Sequence, residues 1–305
     1  VLDAGEPRLE TFDLTTDDGD AWGLGLGCHG VVDVLFEPLD ASWRAPLDEL
    51  DAGTSVTVPT VVESTVDDVP VGARSYMAGR GRSREVAERE PVPAGFADAV
   101  DSAVSTVHGR GRATTVDIGG ERGTVSVLVD GLDPVPTLLL FGSQPDLHPV
   151  ARVASDAGFE VLVHSPRGAR GPEEFPHADR VETGHPSTVD ASVASPGQTY
   201  AVVMSHNLVD DRIAVETLLS ETAVPYVGLM GPRQRFERLR AAGDAIAADD
   251  LDRIATPVGL DLGGGAPTEI ALSVVSEVLA VSNDRSGGRL RDENGPVHAR
   301  PEGER

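Results

Sequence analysis

From Thr137 onward the chain repeats one pattern, a largely apolar run followed by a stretch with helical spacing. The runs Thr137–Phe141, Phe159–His164, Tyr200–Met204 and Tyr226–Met230 have no polar alternation, as strands buried on both faces of a sheet require. Leu147–Ala157 and Ile213–Leu219 carry apolar residues at helical intervals. Strands alternating with helices predict a parallel sheet covered on both faces. Thr268–Ala280 closes this region as a helix, with Thr268 expected as its N-cap just after Pro267.

The first half reads differently. Pro7–Asp13, Val31–Glu37 and Ser55–Val62 have strand character, and Gly79–Arg89 is a polar, arginine-rich turn. A helix is expected over Ala94–Val107. A hairpin follows, Ala113–Ile118 with Thr124–Val129, joined by a loop with glycines at Gly119, Gly120 and Gly123. The fold class is therefore α/β: a C-terminal Rossmann-like parallel sheet with helices on both faces, preceded by a smaller α+β N-terminal module. The expected divisions are residues 1–59 (N-terminal module), 60–136 (linking α+β region), 137–283 (Rossmann-like domain) and 284–305 (polar, disordered tail).

Two glycine loops invite a nucleotide reading. Gly25-Leu26-Gly27-Cys28-His29-Gly30 has the literal dinucleotide spacing, but the β-branched run Val31–Phe36 after it reads as a strand where a helix is needed. Phe141-Gly142-Ser143-Gln144-Pro145-Asp146-Leu147 does lie between an apolar strand and a helix, where an N-terminus can cradle an anion. Gln144 occupies the place of the second glycine, and the next strand ends at His164 without a carboxylate for a ribose hydroxyl. A phosphate at Gly142 and Ser143 fits this loop better than a complete dinucleotide.

The remaining candidate chemistry lies mostly at strand ends. Ser205-His206-Asn207-Leu208-Val209-Asp210-Asp211 follows the third apolar run, at the edge where open α/β sheets bind ligands. His206 and Asn207 can hydrogen-bond a ligand there, or the group can serve as loop and helix-capping residues, a role expected for one of the aspartates. Gly231-Pro232-Arg233 starts a helix after the fourth run; Arg233 and Arg235 make it either an anion site or a solvated helix start. Asp261 precedes the glycine triplet 263–265, which lets backbone approach a ligand or a neighbouring loop. Cys28, beside Gly27 and His29, is either a soft metal ligand or a small side chain in a tight turn. No G-x-S-x-G or H-E-x-x-H spacing occurs, so hydrolase and zinc readings have no support.

Composition narrows the partners. The chain has 305 residues, with 50 Asp+Glu against 25 Lys+Arg, a formal charge of -25, and all its basic residues of the lysine–arginine class are arginine. Such a field disfavours nucleic acid and anionic membranes. It matches a high-salt cytoplasm, where a Debye length of about 3 Å at 1 M salt suppresses self-repulsion. A single cysteine excludes an internal disulfide and fits a reducing, cytoplasmic setting. No stretch approaches the roughly 20 apolar residues that span a bilayer. Starting at Val1, within what reads as a helix end, the chain is expected to be N-terminally incomplete.

Three sets of motifs, in order, resemble the XdhC/CoxI family: Trp22-Gly23-Leu24-Gly25-Leu26-Gly27-Cys28 to Glu37-Pro38-Leu39; Leu138-Leu139-Leu140-Phe141-Gly142 through Ser205-His206-Asn207 with Asp210-Asp211; and Pro225–Gly231, Pro257–Gly263 and Pro267–Ser273. The resemblance implies a non-enzymatic accessory chaperone for molybdenum hydroxylases such as xanthine dehydrogenase. It would bind the pyranopterin molybdenum cofactor (molybdopterin), support its sulfuration and insert it into the apo-enzyme. Implied partners are the hydroxylase, a cysteine desulfurase and a second copy in a homodimer; the cofactor contacts would be Cys28 (also to the metal), Gly27, Gly142, Ser143, His206, Asn207, Gly231, Arg233 and Asp261. Family members begin with a further segment holding a glycine-glycine-cysteine turn, which this chain lacks, and often show glycine and aspartate where Gln144 and His164 stand. Alternative readings are an NAD(P)-dependent oxidoreductase and a nucleotide- or anion-binding module that regulates hydroxylase assembly.

Overall fold

The structure is a computed structural model; it describes residues 7–13, 31–79, 83–93, 100, 112–120, 123–166, 171–242 and 246–292. Cys28, Gly27 and most of the helix expected over Ala94–Val107 lie outside the described residues. The chain divides into two units at Asp133/Pro134.

In the first unit, β1 (Arg8–Asp13) and β2 (Val31–Phe36) pair antiparallel, so the run after the literal glycine motif is indeed a strand. A 3-10 turn at Ala41–Trp43 leads into α1 (Arg44–Asp51), a helix that its scattered apolar residues do not announce. A second antiparallel sheet has the order β5-β4-β3-β7-β6, built from β3 (Val56–Ser64), β4 (Ser75–Ala78), β5 (Arg84–Glu85), β6 (Arg112–Gly120) and β7 (Gly123–Leu132). The β6–β7 hairpin matches the expected one, and Gly123 takes φ +135°. Alternate residues Val125, Val127 and Val129 of β7 are fully buried, the one-sided pattern of an antiparallel strand.

The expected boundary at 59/60 is corrected: it cuts β3, whose ladder to β7 runs from Val56 to Ser64. Proline reads as a breaker, but Pro59 falls where pairing to β4 lapses between Thr57 and Thr60, so its missing N–H is tolerated.

The second unit is a six-stranded, wholly parallel sheet of order β10-β9-β8-β11-β12-β13. Its strands are β8 (Thr137–Phe141), β9 (Glu160–Ser165), β10 (Arg180–Thr183), β11 (Thr199–Val203), β12 (Tyr226–Leu229) and β13 (Ile254–Ala255). Numbered within the unit this is 3-2-1-4-5-6, the Rossmann order. The helices are α2 (Leu147–Asp156), α3 (Leu208–Glu221), α4 (Arg233–Ala241) and α5 (Pro267–Ser282). Leu138 and Leu140 of β8 join the core beneath α2 and α5; Leu139 and Phe141 join the opposite core with Ala214 and Leu218 of α3 and Leu239 of α4. Two cores sharing one sheet are why β8 has no polar residue between Leu138 and Phe141. Burying each such leucine is worth about 1.5–3 kcal/mol.

Two local expectations change. Thr268 is not the N-cap of α5: Ala266 is, Pro267 takes the first helical position, and the Glu269 carboxylate accepts from the N–H groups of Gly265 and Ala266 at 3.0 and 2.9 Å. That pairing holds the exposed Glu269 carboxyl below its usual pKa. The tail expected to be disordered begins with placed residues: the Arg285 N–H donates to Ala280 O at 2.8 Å, and a short 3-10 turn covers Leu290–Asp292. Residues 293–305 lie outside the described part.

Candidate functional site at the sheet switch point

The order 3-2-1-4-5-6 reverses direction between β8 and β11, so the loops after these strands diverge and leave a crevice at their carboxyl ends. The first loop is Gly142–Asp146 and the second is Met204–Asn207. They touch at their base: the Met204 N–H donates to Phe141 O at 2.9 Å. A Cβ on Gly142 would stand 2.9 Å from Met204 O, so this glycine serves the close approach of two loops. Across the mouth, His206 Nε2 lies 2.6 Å from Asp146 Oδ2, although the two residues are 60 positions apart in sequence. His206 has φ +61°, the left-handed region that residues with a Cβ rarely enter. Asp146 Oδ1 is buried and accepts no hydrogen bond.

Asn207 has a capping role. Its side-chain oxygen accepts from the N–H groups of Val209 and Asp210 at 2.9 and 3.2 Å, making it the N-cap of α3. Asp211 is 1% exposed and ties three segments together. One of its oxygens accepts from the backbone N–H (3.1 Å) and hydroxyl of Ser205; the other pairs with the guanidinium of Arg235 from α4. The cap expected of one of the aspartates is thus made by Asn207, and Asp211 instead fixes the loop carrying His206.

Between the ends of β11 and β12 lies a pocket of about 150 Å³ lined by Met204, His206, Met230, Gly231, Pro232 and Arg235. Arg235 borders it, whereas Arg233 is exposed at the first position of α4. Gly231 has φ +113°, and a Cβ there would strike Arg235 Cδ at 2.8 Å. The sequence places His206 and Gly231 here but not the two methionines, which look like the ends of apolar runs. Ser143 is nearly buried on the first loop. Asp261 is exposed on a loop pinned to α5, where the Gly259 N–H and the Tyr226 hydroxyl both donate to Glu277 Oε2 at 2.7 and 2.6 Å. Burial and the Glu277 carboxylate push the Tyr226 hydroxyl far above its ordinary pKa, so it stays a donor. Thr256–Pro257 on this loop is cis.

His164, where a ribose-binding acid would stand, is buried and stacked on Phe141 with ring centroids 5.6 Å apart. Its Nδ1 lies 2.9 Å from the Ser192 hydroxyl, which itself donates to Glu182. Burial lowers its pKa, keeping the ring neutral. Among the described residues no cluster of three His, Cys, Asp or Glu could hold a metal, and no helix is long and apolar enough to cross a membrane.

Comparison with known proteins agrees with this geometry. Residues 138–278 match the family described as the XdhC Rossmann domain. A Bacillus subtilis protein named as a probable xanthine dehydrogenase component is 28% identical over 276 residues, 89% of this chain and 75% of that protein. The uncharacterized protein YqeB of Escherichia coli is 28% identical over 198 residues, 62% of this chain and 36% of its own length. A crystal structure of a xanthine dehydrogenase from Bacillus halodurans superposes with TM-score 0.66 at 24% identity, over 92% of this chain and 76% of that one, a likeness of fold. Sheet order, motifs and sequence match agree over the same residues, and the second unit carries an XdhC-type Rossmann domain over residues 138–278.

Proposed function

We propose that the chain is an accessory protein of a molybdenum hydroxylase of the xanthine dehydrogenase type, which holds the pyranopterin molybdenum cofactor, supports its sulfuration and passes it to the apo-enzyme. The observation that carries this reading is a pocket beside the switch point of an XdhC Rossmann domain, between the ends of β11 and β12, with apolar walls and with His206 and Arg235 at its rim. The Bacillus subtilis relative, named for xanthine dehydrogenase, supports the choice of client.

The residues fit one end of such a cofactor. Met204, Met230 and Pro232 offer a dry wall for a flat ring. Arg235 has two nitrogens on Asp211, and its remaining N–H groups suit an anionic or carbonyl edge. The loop Gly142–Asp146 fits a phosphate poorly, since Pro145 has no N–H and the Asp146 carboxylate stands at the helix start. When bound, the cofactor would supply the molybdenum–sulfur chemistry; the protein's part is to bind, orient and keep water out. A cysteine desulfurase as sulfur donor, Cys28 as a contact and a homodimer complete the proposal.

The test is pterin and molybdenum per chain, on protein purified in molar salt from cells with an intact cofactor pathway, beside Cys28→Ser and Arg235→Ala. Near-stoichiometric pterin that falls in the variants supports carriage. Protein without pterin that instead binds NAD(P) overturns it in favour of an oxidoreductase. A chain that binds only phosphate or mononucleotide favours the regulatory anion module.

A further inference from the structure

The pocket brings together two of the chain's three methionines. Val203 of β11 is paired in register with Leu229 of β12, so Met204 and Met230, one residue further along, are cross-strand neighbours. The Met230 N–H donates to Val203 O at 3.0 Å, which holds that register to the strand ends. Adjacent strands lie about 4.8 Å apart, and residues at matching positions face the same side. Both methionines accordingly pack on the same core face, and both line the pocket.

His206 lines the same pocket, and its surroundings are those of a metal ligand. A ligating histidine usually gives its other ring N–H to a carboxylate, which fixes the tautomer and strengthens the free nitrogen as a donor. Here Nε2 is 2.6 Å from Asp146 Oδ2, which leaves the Nδ1 lone pair as the ring's donor. The second Asp146 oxygen, buried and without a hydrogen bond, leaves this carboxylate's charge poorly compensated except through the imidazole. The left-handed backbone at His206 shows a side chain held in place at a conformational cost.

We propose that Met204, Met230 and His206 form a binding site for a soft, monovalent metal ion, copper(I), with Asp146 as the positioning residue behind the imidazole. Two thioethers and an imidazole select a soft ion over magnesium or calcium. Arg235 at the rim disfavours a divalent cation and repels a monovalent one less. Copper would take the same methionine wall on which the proposed ring packs, so the two ligands would compete; the titration is made on cofactor-free chain, and its outcome does not depend on whether pterin binds.

The experiment is anaerobic titration of copper(I) against bathocuproine disulfonate, using the full chain with Cys28→Ser so that the thiol cannot contribute. One equivalent of copper is expected to resist the chelator. Met204→Leu with Met230→Leu should abolish that retention, and His206→Asn, which tolerates the left-handed backbone, should weaken it severely. Asp146→Asn should lower affinity about 10–100-fold. Circular dichroism checks folding, and Met230→Leu alone serves if the double variant does not fold. Copper-edge X-ray absorption should show sulfur scatterers. Absence of retained copper, retention undiminished in a folded methionine variant, or a shell of nitrogen and oxygen alone would overturn the proposal, as would equally tight zinc binding insensitive to both methionines.

Discussion

Among the described residues, each unit has a hub, an arginine–carboxylate pair with one partner almost fully buried, and the two are inverted. In the first unit the arginine is the buried partner: Arg74 is 1% exposed, donates to Thr60 and Ser42 (both 3.0 Å), pairs with Glu37 and stacks over Trp43 at 4.2 Å. In the second the carboxylate is buried: Asp211 holds Ser205 and draws Arg235 toward the pocket. A buried arginine with its donors spent on β3 and the 3-10 turn can only staple. A buried aspartate leaves its arginine partly outside, with donors to offer a ligand. The same ion pair is scaffold in one unit and site architecture in the other.

Arg74→Ala tests the first half of that contrast and should have the largest effect. It strands Glu37, one of whose oxygens already lacks a partner, and should cost about 3–5 kcal/mol. Urea unfolding followed by tryptophan emission reads this unit selectively, because both tryptophans, Trp22 and Trp43, precede Asp133. Unchanged stability would mean the hub is not a staple.

Asp211→Asn should cost less, about 2–3 kcal/mol, because Arg235 reaches solvent and can be rehydrated. Its signature is local: faster amide exchange in the 204–211 loop and the start of α4, and loss of ligand binding, with tryptophan emission unmoved. Asn207→Ala removes only the α3 cap and should cost about 1 kcal/mol, visible as exchange at Val209 and Asp210.

The smallest effect is a pH dependence in the second unit. Burial holds His164 below its ordinary value near 6.5, so the unfolded chain takes up this proton first. The stability it contributes is therefore complete above about pH 6.5 and is lost as pH falls through the lowered folded value. His164→Gln should flatten that part of the curve, measured as midpoint against pH; an unaltered profile would show that His164 does not titrate in this way.

What the sequence determined was the Rossmann unit and its binding edge. Strands buried on both faces are apolar through their centres, so β8, β9, β11 and β12 appear as runs without needing any partner to be known. Gly231 announced a helix start through turn chemistry that is local by nature, whereas the cap of α3, expected of an aspartate, is Asn207. Short edge strands escaped, because β10 (Arg-Val-Glu-Thr) and the two-residue β13 bury too little to leave a pattern. So did the continuity of β3 across Pro59, which depends on a lapse in a neighbouring ladder. Only the tertiary structure decided that Asp146 meets His206, that Asp211 rather than Asp210 is the hub, that Arg235 rather than Arg233 borders the pocket, and that two strand-end methionines become neighbours. Each of these is a pairing between residues far apart in the chain, set by strand register and sheet order, and register is a property of two strands together that neither one's sequence carries alone.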